Sequence, residues 1–210
     1  KVGVCFATSG PGATNLTTGI ATAYYDSSPV VFITCNVAEN LLGKDAFQEV
    51  DITGIAMPIT KATYLVRDPQ TIPDIMREAF AVAATGRPGP VLIDFLKNVT
   101  APNELIDYEP MERKEHIKHG RLQALTHRIG WDIRTPEPNH EDVDKLAEMI
   151  AKAEKPLLIC GGGVVRSRAH EEFRQFVRRI DAPVAITVMG GGGVSGRDVM
   201  TTGMIGMHGS

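Results

Sequence analysis

No apolar run in this sequence approaches the roughly 20 residues that span a bilayer, so a membrane-embedded role is not expected. Neither sign of charge dominates. The 22 Lys and Arg stand against 25 Asp and Glu, a net charge of −3, which disfavours nucleic acid and anionic membranes as partners. Cysteine is scarce: Cys5, Cys35 and Cys160 each lie in or at the end of an apolar run and form no Cys-x-x-Cys pair. That pattern predicts buried free thiols in a reducing cytoplasm, not a disulfide framework or a zinc site. No spacing suggests a Ser-His-Asp triad or a pair of catalytic carboxylates. His116 and His119 stand among Lys114, Glu115 and Lys118, a setting that reads as a solvated face rather than a metal pair. No signal peptide is expected, since the sequence opens directly on the apolar run Val2–Ala7. The expectation is an internal piece of a longer protein.

What is present is an ordinary globular balance, with 43% hydrophobic and 22% charged residues. The 210 residues suit roughly one and a half to two domains. Apolar runs at Val2–Ala7, Val30–Val37, Thr63–Val66 and Val91–Phe95 read as strands. Between them, Ala13–Tyr25 and the segment from Asp68-Pro69 onward carry helical spacing, the latter with Ile72, Ile75, Met76, Ala79, Phe80 and Ala83 on one face. Asp68 is the expected N-cap and Pro69 the first helical residue, and a short helix is expected over roughly 47–56. Such alternation predicts an α/β fold of mostly parallel sheets flanked by helices. From about 98 to 139 the prolines 102, 110, 136 and 138 and a dense charge pattern predict a linker. A second α/β unit follows over 140–210, with helices Glu141–Ala153 and Ala169–Ile180 and strands Pro156–Cys160 and Val184–Val188.

Three glycine-containing stretches lie where a strand gives way to a turn. Gly10-Pro11-Gly12 follows the first strand, and the backbone N–H groups opening the next helix are left to face a polar ligand. An ordinary strand-to-helix turn would look the same at this level. Gly161–Gly163 also follow a strand, where open parallel sheets bind ligands, but Val164, Val165 and Arg166 come next and the third glycine of the dinucleotide fingerprint is missing. The run Gly190–Gly193 is equally non-specific. Asp45-Ala46-Phe47-Gln48-Glu49 offers an aromatic ring and an amide for a half-polar pocket wall, or else a helix start capped by Asp45 with Glu49 in the first turn. Asp94, within a strand, reads as structural.

Taken in order, "TSGPGATNL", "PVVFIT", "DAFQEVDI", "PITKATYLV", "TGRPGPVLID", "LLICGGG" and "GMIGMHGS" resemble the thiamine-diphosphate enzymes, and within them the large catalytic subunits of acetohydroxyacid synthase (acetolactate synthase). The resemblance covers nearly the whole chain and is weakest in the linker. It implies the C-terminal part of a pyrimidine-binding domain over 1–97 and the first part of a Rossmann-like, FAD-holding central domain over 140–210. Pro11 and Asn15 match positions beside the aminopyrimidine of thiamine diphosphate. Gln48 matches the glutamine at the cofactor, and Phe47 the ring on the wall shared with substrate and flavin. Lys97 matches the lysine of the substrate channel. Arg87, Gly161, Gly162, Gly163, Thr187, Val188, Met189, Ile205, Gly206, Met207 and His208 match FAD-contacting positions.

The implied activity is that of a transferase that decarboxylates pyruvate and joins the two-carbon unit to a second 2-ketoacid, giving 2-acetolactate or 2-aceto-2-hydroxybutyrate for branched-chain amino-acid biosynthesis. FAD is implied as a group that performs no net redox step. Mg²⁺ is implied too, but the Gly-Asp-Gly…Asn motif that holds it is absent from this sequence, so its ligands are expected outside the chain. The resemblance further implies a homodimer or higher oligomer, a possible regulatory small subunit, a cytoplasmic location, and no activity from this piece alone. Pyruvate oxidase, glyoxylate carboligase and catabolic acetolactate synthase are disfavoured by "GMHG" beside "DAFQE". A non-catalytic nucleotide-binding module reusing the fold is the remaining alternative. The sequence departs from the family at Cys35-Asn36-Val37, where Gly-Gln-Val is usual, at Ala38, where proline is common, in "FLKNV", and in the loop "MGGGGVSGRD".

Overall fold

The structure, a computed structural model, describes residues 1–100 and 137–209. The chain divides into two compact units, Lys1–Pro136 and Glu137–Ser210. Most of the expected linker, with His116 and His119, lies outside the described residues. Among the described residues no helix is long and apolar enough to cross a membrane.

The first unit is a four-stranded parallel sheet in the order β1-β2-β4-β3, formed by β1 (Gly3–Ala7), β2 (Val30–Asn36), β3 (Ala62–Val66) and β4 (Pro90–Leu96). Strand alternation sends its side chains to two cores. Val31, Ile33, Val91 and Ile93 pack on Ala79, Val82 and Ala83 of helix α4 (Ile72–Ala84). On the opposite face, Phe32 and Leu92 pack on Ala13, Ile20 and Ala23 of α1 (Pro11–Asn15) and α2 (Thr17–Tyr25), and on Ile52 and Ala56 of α3 (Ile52–Ala56). Both faces of the central strands are therefore covered, as a parallel sheet requires.

Several local differences from the expectation have plain causes. The helix expected over Ala13–Tyr25 is broken at Leu16, whose N–H donates to Ala13 three residues back (3.1 Å). Asp68 does accept the capping bond from the Gln70 N–H (2.9 Å), but Pro69–Thr71 form a tight 3₁₀ turn and the α-helix starts at Ile72. The short helix expected from about residue 47 starts only at Ile52. Asp51, not Asp45, is its cap, accepting from the Gly54 N–H at 2.9 Å. The expectation of three buried thiols holds only for Cys160. Cys5 is half-buried, and Cys35, next to last in β2, is exposed although it shares a face with the buried Val31 and Ile33.

Lys61, at the start of β3, is only 1% exposed. Its ammonium donates to the Val82 and Thr85 carbonyls (2.6 Å to Thr85), closing the C-terminal end of α4.

The second unit contains α5 (His140–Lys152), β5 (Leu158–Cys160), α6 (Gly162–Arg166), α7 (His170–Ile180), β6 (Val184–Ile186) and β7 (Thr201–Met204), with a parallel sheet in the order β5-β6-β7. Asn139 caps α5, accepting from the Glu141 N–H at 3.0 Å. The core is small: Cys160, Val177, Val184, Ile186 and Val194, with Phe173 and Met200 against it. The strand expected over Val184–Val188 ends at Ile186, and Val188–Gly190 turn in a 3₁₀ conformation. Neither α6 nor β7 is an element that the sequence reading anticipated.

Candidate functional site

Because all four strands of the first sheet are parallel, they present one edge at their carboxyl ends, where open α/β sheets hold ligands. The turn after β1 and the loop after β2 meet there. Gly10 has φ 58° and ψ −119°, a conformation that clashes for a residue bearing Cβ. A Cβ on Gly10 would stand 2.7 Å from Gln48 Cβ and 2.9 Å from the Gln48 carbonyl oxygen. Gln48 therefore lies directly on the Gly10-Pro11-Gly12 turn, and two segments that are separate in sequence form one surface. Asn15 ends α1, which starts at this edge, and is exposed, as is Pro11. Among the described residues the Asn15 and Gln48 side-chain amides make no hydrogen bond. Phe47, beside Gln48, is 89% exposed.

The loop carrying Phe47 and Gln48 is held from two sides. Within it, the Glu49 carboxylate accepts from the Gly43 and Ala46 N–H groups, the latter at 2.9 Å. These backbone bonds, that to Ala46 foremost, hold its carboxyl below the usual range. Beneath it, Asn36 Nδ2 donates to the Val50 carbonyl (3.0 Å) and to Asp94 Oδ2 (2.8 Å), while Thr34 Oγ1 donates to Asp94 Oδ1 (2.7 Å). Asp94 is fully buried, and burial pushes its carboxyl up against the opposing effect of these two bonds. A cleft of about 280 Å³ beside this network is lined by Asn36, Glu49, Asp51, Arg67 and Asp94. Its charged groups are committed within the protein, since Arg67 pairs with Glu39 (2.9 Å) and Asp51 caps α3.

Lys97 lies at the same carboxyl edge. It is exposed and opens the turn directly after β4, and its N–H donates to the Val37 carbonyl at 3.3 Å. Arg87 lies at the opposite edge, where the strands begin. Its Nε donates to Ser27 Oγ (2.7 Å), one terminal nitrogen donates to the Tyr24 and Tyr25 carbonyls (3.3 and 3.1 Å), and the guanidinium carbon stands 5.9 Å from the Tyr24 ring centre. Arg87 thus clamps the C-terminal end of α2, a role that its motif did not announce.

In the second unit the two glycine runs come together. A Cβ on Gly190 would stand 2.1 Å from the Cys160 carbonyl oxygen, and one on Gly193 would stand 2.4 Å from Cys160 Sγ. Only glycine allows the loop after β6 to lie on the end of β5. The Thr187 N–H donates to the Cys160 carbonyl (3.0 Å), and the Thr187 hydroxyl accepts from the Gly190 N–H (3.1 Å). The Ile205 N–H donates to the Ile186 carbonyl (2.9 Å). Gly161–Gly163, Thr187–Met189 and Ile205–His208 consequently lie side by side past the carboxyl ends of β5, β6 and β7.

The residues of each unit are chemically suited to a flat, partly polar heterocycle. At the first edge, bare turn backbone, two uncommitted amides and an exposed ring fit an aminopyrimidine. At the second, nothing lies within 4 Å of where a Cβ would stand on Gly161, Gly163, Gly192 or Gly206. Val188, Met189, Ile205 and Met207, on the adjoining turns, carry exposed side chains, and open backbone amides beside apolar groups suit a flavin nucleotide. Among the described residues no group of three or more His, Cys, Asp or Glu is placed to hold a metal ion.

Two family domains match the chain: the thiamine pyrophosphate enzyme N-terminal TPP binding domain over residues 1–55, and the thiamine pyrophosphate enzyme central domain over residues 143–210. Among similar curated proteins, an acetolactate synthase of Arthrospira platensis is 46% identical over all of this chain and 34% of its own length. An acetolactate synthase large subunit of Parasynechococcus marenigrum is 46% identical, with 32% of that protein covered. A probable acetolactate synthase large subunit of Methanocaldococcus jannaschii is 42% identical, with 34% covered. The chain spans about one third of the length of these relatives.

Proposed function

The chain belongs to the thiamine pyrophosphate enzyme family, and from that premise we propose that it is part of the large catalytic subunit of an acetolactate synthase. The longer protein would decarboxylate pyruvate and condense the two-carbon unit with a second 2-ketoacid, yielding 2-acetolactate or 2-aceto-2-hydroxybutyrate. It would act in the cytoplasm as a homodimer or larger oligomer, with FAD held on the glycine-rich edge of the second unit and with Mg²⁺ ligands supplied from outside this chain. A regulatory small subunit is a further expected partner.

The observation that carries this reading is the packing of Gln48 on Gly10, which puts the matched Pro11, Asn15, Phe47 and Gln48 on one strand-carboxyl edge. Bound thiamine diphosphate supplies the decarboxylation and carbon–carbon bond-forming chemistry. The protein's own share is orientation and exclusion of water. The Asn15 and Gln48 amides are free to hydrogen-bond polar edges of the cofactor, and Phe47 offers an apolar wall against it. The Lys97 ammonium, on the same edge, attracts the carboxylate of an incoming 2-ketoacid.

The test uses the full-length protein with pyruvate, thiamine diphosphate, Mg²⁺ and FAD, omitting each in turn. Acetolactate formation that requires thiamine diphosphate is expected, together with a flavin absorption spectrum. Gln48→Ala should cost about 2–4 kcal/mol of transition-state stabilisation with the fold intact. This chain alone should make no acetolactate. Absence of thiamine-dependent product from the full-length protein would overturn the reading.

A further inference from the structure

The loop between β2 and α3 holds a conformation that its sequence does not favour. Asp45 has φ 52°, which aspartate tolerates, but Gln48 has φ 60°, and left-handed backbone at a residue such as glutamine persists only where surrounding contacts impose it. Between Leu42 and Asp51 there is no helix or strand to impose it. Within the loop, one side chain supplies the bonds that fold it back. Both carboxylate oxygens of Glu49 turn back along the loop, one accepting from Gly43 N–H and the other from Ala46 N–H at 2.9 Å. In return, the Glu49 N–H donates to the Ala46 carbonyl at 2.9 Å. Gln48 is thus enclosed between Ala46 and Glu49 and pressed outward onto Gly10.

We propose that Glu49 is a positioning residue for the pair Phe47 and Gln48, its carboxylate serving as the internal clamp that fixes the left-handed turn against Gly10. The claim rests on the reading above in one respect only, that Gln48 serves the cofactor. Ligation of backbone N–H groups by a carboxylate is a charge-assisted interaction, stronger than a neutral bond and directional at both oxygens. The second anchor is independent of it. Asn36 holds the Val50 carbonyl from the sheet and is itself held by the buried Asp94. Loss of Glu49 should therefore loosen residues 43–48 while leaving the loop tethered at Val50. The rest of the unit has two cores of its own.

The test compares Glu49→Ala, Glu49→Gln and Gln48→Ala, and the double variant of Gln48→Ala with Glu49→Ala, all in the full-length protein. Hydrogen exchange over the segment 43–49, followed by mass spectrometry, should speed up about tenfold in Glu49→Ala. In Glu49→Gln, which keeps one oxygen acceptor, it should change several-fold less. Thiamine diphosphate affinity should fall several-fold in Glu49→Ala, and adding that substitution to Gln48→Ala should lower it no further. A clamp that acts through Gln48 has nothing left to position once the amide is gone. Unchanged exchange in both Glu49 variants would overturn the proposal, and so would a fully additive double variant. If the wild type binds no thiamine diphosphate, the functional reading fails, and the exchange measurement alone decides whether Glu49 is the clamp.

Discussion

Replacing Gly10 by alanine puts the Gly10–Gln48 contact to a direct test. Two costs arise together. The backbone at φ 58° and ψ −119° is strained for any residue with Cβ, by about 1–2 kcal/mol. The added methyl would also stand 2.7 Å from Gln48 Cβ, 2.9 Å from its carbonyl oxygen and 3.0 Å from its Cα. Two of those three atoms are backbone, so no rotamer change relieves the overlap, and overpacking of this kind costs about 1–3 kcal/mol. Against this stands a gain of about 0.4–1 kcal/mol from stiffening the unfolded chain. The net expectation is a loss of about 1–4.5 kcal/mol in urea unfolding, with Gln48 displaced and thiamine diphosphate affinity reduced in the full-length protein. Gly19 supplies the control. It is exposed on α2 with nothing within 4 Å of the Cβ position, so Gly19→Ala should stabilise by about 0.5–1 kcal/mol and leave activity alone. Equal behaviour of the two variants in stability and in cofactor affinity would show that Gly10 does not carry Gln48.

Two further outcomes follow from charged groups. Arg87→Ala should lower the urea stability of this chain by about 1–2 kcal/mol, since the guanidinium holds Ser27 and the last carbonyls of α2. Poor flavin retention by the full-length variant with unchanged stability would instead assign Arg87 to the flavin. Burial pushes the Lys61 ammonium down from 10.5 to about 8, so between those values the unfolded chain holds more protons than the folded one and stability rises with pH, by about 3 kcal/mol over the whole interval. Unfolding free energy from urea curves should rise between pH ~7 and ~9 in the wild type by about 1 kcal/mol more than in Lys61→Met, and parallel pH dependences would show that burial does not depress this ammonium.

Strands β1 to β6 were legible because each combines a short apolar run with turn residues at its ends, and the local signal agrees with the tertiary one. β7 was not legible, since Thr201-Thr202-Gly203-Met204 has no strand-like run and takes its form from pairing with Val184–Ile186. α6 is a single turn or so, too short for a period, and starts within a glycine run that reads as a loop. Cys35 was expected inside because the run around it is apolar and it shares a face with Val31 and Ile33, but it lies at the end of β2, where the cover over that face depends on packing that the sequence does not show. The candidate site divides in the same way. Its residue types were recognisable in "TSGPGATNL" and "DAFQE", while its geometry was not. Local preference at Gln48 argues against a left-handed backbone, and spacing alone made Asp45 and Glu49 a plausible helix start. What overrides that preference is non-local or folds back on itself: Gly10 gives Gln48 room, Glu49 ligates the loop, and Asn36 ties Val50 to a buried carboxylate. A short motif can therefore name the residues of such a site, but their arrangement depends on contacts between segments that meet only when the sheet has formed.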